Sequence, residues 1–89
     1  MNIEVLFFGK FRELTGTSKE EASLQKGDKL SNLLAKLEEK HGSSFAREIK
    51  DNKGLRILVN GREYQILDGL DTPLKEKDTV VILPLIEGG

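Results

Sequence analysis

The segment "LPLIEGG" closes the chain, and its last two residues, Gly88 and Gly89, follow directly on a strongly apolar stretch. A frayed end tolerates almost any residue. Glycine supplies only 9 of the 89 residues, so two in succession at this one place call for a cause. Without side chains the pair can thread a narrow channel and adopt backbone conformations closed to other residues. Fully extended, Leu85 to Gly89 reaches about 17 Å.

The rest of the chain offers little competing chemistry. It contains no cysteine, which removes disulfides, a thiolate nucleophile, Cys-ligated zinc and Cys-ligated iron–sulfur clusters together. The single His41 cannot build a histidine metal cluster. It follows a helical run and precedes Gly42, where an imidazolium suits the negative end of a helix. No metal site is expected. "FFGKFREL" holds a lone Gly and Lys without the spaced glycines of a phosphate-binding loop. The chain is not expected to be an enzyme on its own.

Composition narrows the partners. With 37% hydrophobic and 33% charged residues, the sequence fits one small globular domain over residues 1–89 with a heavily charged surface. Fourteen basic against fifteen acidic residues leave a formal net charge of -1, which gives no electrostatic reason to expect nucleic acid or an anionic membrane. "MNIEVLFFGK" lacks the basic start and apolar length of a signal peptide, and no run approaches transmembrane length. The chain is expected in the cytoplasm.

The elements that must position the tail follow from periodicity. "NIEVLFF" is rich in β-branched and aromatic residues and predicts a strand ended by Gly9, with "KFRELTG" a short helical turn closed by Gly16. "SKEEASLQKGD" alternates Ala22 and Leu24 with polar neighbours and predicts an edge strand hairpinned onto the first. Leu30, Leu33, Leu34 and Leu37 recur at i, i+3, i+4 and i+7, a helix with one apolar face that stops at Gly42. "LRILVNGREYQI" predicts two short strands about the Asn60-Gly61 turn. "DTPLKEKDTVVILPL" predicts a turn at Pro73 and a last strand through Leu83, ended by Pro84.

One long helix against these strands predicts an α+β roll. Alternation turns Ile3, Val5, Phe7, Ile57, Val59, Val80 and Ile82 toward the helix. It leaves Leu6, Phe8, Leu58, Val81 and Leu83 on the opposite face, interrupted by residues such as Glu4 and Arg56. An exposed apolar patch on a small domain marks a protein interface, so a partner is expected to dock there beside the tail. The alternative is that residues 43–54 fold over it.

The opening "VLFFGKFREL" followed by "TG", the hairpin "LVNG", the stretch "DTPLKEKDTVVILP" and the terminal "EGG" together resemble the ubiquitin-like sulfur carriers of the MoaD and ThiS family. They are more similar to MoaD, the small subunit of molybdopterin synthase. The resemblance spans essentially the whole chain. "GSSFAREIKDNKG" carries no family signature, and Leu85-Ile86-Glu87 stands where many relatives have a second proline and small residues. The resemblance implies the β-grasp (ubiquitin-like) fold, a mixed sheet of about five strands with one main helix on one face and a flexible tail at about residues 85–89.

The resemblance also implies the chemistry, with the carboxylate of Gly89 as the reacting group and Gly88 permitting its entry. A carboxylate at pH 7 is a poor electrophile, so an E1-like, MoeB-like enzyme would use ATP to form an acyl-adenylate at Gly89 and then a thiocarboxylate. The large, MoaE-like subunit of molybdopterin synthase would accept the sulfur onto a pterin precursor, giving the dithiolene that later holds metal. This chain would bind no cofactor itself. Two alternatives share the tail: a ubiquitin-like modifier joined to lysines through Gly89, and a ThiS-type carrier for the thiazole of thiamine.

Overall fold

The computed structural model describes residues 1–84; the expected tail, with Gly88 and Gly89, lies outside the described residues. Strand β1 (Asn2–Phe7) leads into the short helix α1 (Lys10–Thr15), and β2 (Lys19–Ser23) returns antiparallel to β1. Helix α2 (Leu30–His41) follows, then α3 (Ser43–Asp51). The chain re-enters the sheet as β3 (Arg56–Val59) and β4 (Arg62–Glu63), makes two 3-10 turns at Tyr64–Ile66 and Gly69–Asp71, and finishes with β5 (Thr79–Leu83). The five strands lie in the order β2-β1-β5-β3-β4, with β1 and β5 parallel at the centre and the other pairs antiparallel. A mixed sheet with its helices gathered on one face is the β-grasp roll.

The core forms where the alternating strand residues meet the apolar helix face. Ile3, Val5, Phe7, Ile57, Val59, Val80 and Ile82 are buried, as are Leu30, Leu33, Leu34 and Leu37 of α2. Ala22 and Leu24 close the core at the β2 edge. The hairpin turn places Asn60 at φ 51° and Gly61 at φ 84°, the positive angles that a tight two-residue connection requires.

The structure sets aside the alternative given for the outer face. Residues 43–54 do not cover the outer sheet face: most of them form the nine-residue α3, whose Phe45 is fully buried within the helix-side core. The ring of Phe45 meets Phe7 and Phe11 edge-on, with centroids 6.0 and 5.7 Å apart. The Asn60-Gly61 hairpin has the two short strands expected, the second of only two residues because the backbone turns into a 3-10 helix at Tyr64. Since Phe45 joins β1, α1 and α3 through one aromatic cluster, Phe45→Ala is expected to lower stability by about 3–5 kcal/mol, read from the midpoint of urea unfolding.

His41 ends α2, as its position before Gly42 suggests, but it is also a tie between layers. Its Nε2 lies 2.6 Å from Glu20 Oε1, while Lys40 Nζ donates to Glu20 Oε2 at 3.0 Å. The imidazole packs edge-on to Phe7 and tilted against Phe45. Together these contacts hold the edge strand β2 to the end of α2. The Lys36 ammonium donates to the Ser23 carbonyl on the same edge, occupying an acceptor that would otherwise face outward from an open strand.

Candidate functional site

Directly paired residues share a face of the sheet, so the registers define the outer surface. Lys19 stands opposite Leu6, Leu6 opposite Val81, Val81 opposite Leu58, and Leu58 opposite Glu63. Three of the expected interface residues thus form one continuous apolar row across the three central strands, bounded by a charge at each end. The next row toward the C-terminal end holds Phe8, Leu83 and Arg56, with Arg56 opposite Leu83. Phe8 N–H donates to the Ile82 carbonyl at 3.1 Å, which sets Phe8 beside Leu83 in a parallel ladder. Leu6, Leu58, Val81 and Leu83 are half-buried, and Phe8 is 51% exposed.

In the opposite direction the surface turns polar. Glu4 faces Glu21 on one side and Thr79 on the other. The apolar patch is therefore confined to the end of the sheet from which the chain leaves, and Pro84, directly after β5, is the last described residue. Its flanks are ion-paired: Lys19 Nζ lies 3.1 Å from Glu4 Oε2, and Arg56 Nε lies 2.5 Å from Glu63 Oε1. An apolar centre within a charged rim is the anatomy of a protein interface.

All five expected interface residues come together on this face, and Gly88 and Gly89 lie outside the described residues. Sequence reading did not single out the two rim pairs, because Lys19 with Glu4 and Arg56 with Glu63 become neighbours only through strand pairing. It also missed the packing of Pro84 against Gly9, where a Cβ built on the glycine would stand 2.8 Å from Pro84 Cγ. Among the described residues no helix is long and apolar enough to cross a membrane.

The family model of the ThiS family matches residues 5–89. The sequence is 32% identical over 92 residues to small archaeal modifier protein 3 of Haloferax volcanii, covering 100% of both chains. It is 35% identical over 91 residues to the molybdopterin synthase sulfur carrier subunit of Drosophila yakuba, covering 100% of this chain and 92% of that one. The solution structure of the Haloferax volcanii HVO 2177 protein superposes with a TM-score of 0.83 at 32% identity, covering 100% of this chain and 87% of that one. A chain of the Helicobacter pylori complex of subunits 1 and 2 of molybdopterin-converting factor matches with a TM-score of 0.67 at 29% identity, over 100% of both chains.

Proposed function

The chain belongs to the ThiS family of ubiquitin-like sulfur carriers and modifiers, and from that premise we propose that it is the sulfur carrier subunit of a molybdopterin synthase. The observation that carries this reading is the placement of the apolar row Leu6, Val81 and Leu58, with Phe8 and Leu83, at the sheet end where β5 delivers the chain. A partner seated on that patch receives the chain end at its own active site. Similarity to a molybdopterin synthase sulfur carrier subunit, and to a chain of a two-subunit molybdopterin-converting complex, supports the choice of pathway.

In this reading the domain is a handle and the tail is the reagent. A carboxylate oxygen of Gly89 attacks ATP in an E1-like enzyme, pyrophosphate leaves, and a sulfur donor then displaces AMP to give the thiocarboxylate. The sulfur nucleophile forms without a cysteine on this chain. Leu6, Phe8, Leu58, Val81 and Leu83 hold the partner, Gly88 allows the tail through its channel, and Gly89 carries the sulfur to the pterin precursor in the large subunit. The metal enters the finished dithiolene and not this protein.

A second reading has its own support, because the chain is similar over its whole length to a small archaeal modifier protein. Activation is common to both, and the acceptor decides: sulfur goes to a small molecule, or the acyl group goes to a lysine amine. A ThiS-type role in thiazole synthesis differs again only in the acceptor. The test is to mix the thiocarboxylate protein with the pterin precursor and the large subunit. Recovery of the free carboxylate with a sulfurated pterin supports the molybdopterin role. Peptides of other proteins with Gly89 joined to a lysine, and no sulfurated pterin, would replace it with the modifier role.

A further inference from the structure

Gly9 stands at φ 55° and ψ -129°, a combination that residues with side chains avoid. A Cβ there would lie 2.8 Å from Pro84 Cγ and 3.2 Å from Pro84 Cδ. The pyrrolidine ring of Pro84 therefore sits in the space that any side chain at position 9 would claim.

The hydrogen bonding around this contact accounts for both residues. Phe8 N–H donates to the Ile82 carbonyl at 3.1 Å, and the next bond of a parallel ladder would run from the N–H of residue 84 to the Phe8 carbonyl. Proline has no such N–H. The Phe8 carbonyl instead accepts from Phe11 N–H at 3.1 Å, and the Gly9 carbonyl accepts from Glu13 N–H at 3.2 Å, opening α1. One junction thus ends β1, starts α1 and receives the residue that follows β5.

We propose that Gly9 is a positioning residue for the chemistry of the chain end: by lacking a side chain it lets the Pro84 ring seat against the end of β1, and the seat fixes the point at which the chain leaves the sheet at Pro84. The inference rests on the sulfur-carrier reading. The exit point matters because a misplacement of about 1 Å at a reacting centre costs up to about 100-fold in rate.

The test is a double-substitution cycle with Gly9→Ala, Pro84→Ala and the two combined. The assay is ATP–pyrophosphate exchange by the purified E1-like enzyme of the same source, run below the melting temperature of every variant. Each single substitution is expected to lower kcat about tenfold while KM stays within about twofold, since the docking patch is untouched. Because both remove the same seat, the combined variant should lose about tenfold and not about a hundredfold. Losses that multiply, or a rise in KM with kcat unchanged, would overturn the proposal. A readout without any partner runs beside it. The amide NMR signals of residues 85–89 should move in Gly9→Ala and in Pro84→Ala, and unmoved signals in both would also overturn it. If the unsubstituted chain supports no exchange, the carrier reading fails, and the amide signals alone then decide whether the seat directs the tail.

Discussion

Deleting Gly89 is expected to abolish ATP-dependent sulfur loading, a loss of about 100-fold or more, while the melting temperature stays unchanged. The deletion shortens the extended tail by about 3.5 Å, several times the misplacement that costs about 100-fold at a reacting centre. The new terminal carboxylate would belong to Gly88 and would stop short of the nucleotide. Stability is expected to hold because, among the described residues, a buried core from Ile3 to Ile82 is already complete. Gly89→Ala is expected to act in the same direction, because on the proposed reading the added side chain would have to pass the partner's channel. Loading is read from the mass of the C-terminal peptide and stability from a thermal melt. A folded deletion variant with full activity would refute the tail mechanism.

Phe8→Asp is expected to weaken binding of the large subunit by at least about 100-fold without unfolding the domain. Phe8 is 51% exposed in the isolated chain, so the free protein tolerates a carboxylate there. In the complex the same carboxylate would be buried without a partner, at a cost of about 3–5 kcal/mol. Its place beside Leu83 puts it at the part of the patch closest to Pro84, the last described residue. Titration calorimetry with the large subunit measures the change. Unchanged affinity would remove the outer face from the interface.

The fold was largely readable because its strongest signals are local. The four leucines of α2 recur at helical spacing and all are buried, and the period of two in β1, β3 and β5 sorts their residues correctly between the core and the outer face. Helix α3 was not read from the sequence. Its anchors are Phe45, fully buried, and Ile49, partly buried one turn on, and so short a segment gains its helicity from tertiary packing rather than from propensity. The shortness of β4 was hidden for a related reason: Tyr64 and Ile66 favour a strand in isolation, yet the backbone leaves the sheet there.

The candidate site divides in the same way. Alternation alone placed Leu6, Phe8, Leu58, Val81 and Leu83 on the outer face, but it could not order the strands. Only the central pairing of β5 between β1 and β3 turns those five positions into a continuous patch at the chain exit. The contact of Gly9 with Pro84 depends on that same pairing. Glycine at position 9 reads in sequence as a simple strand end, and proline at position 84 as a simple stop.

The most direct test is the intact mass of the full chain after incubation with ATP, a sulfur donor and cell extract from its own source, followed by localisation within the C-terminal peptide. A gain equal to exchanging one oxygen for sulfur at Gly89, strictly dependent on ATP, is the predicted result. A C-terminal peptide unchanged in mass, with no conjugate formed through Gly89, would contradict the account.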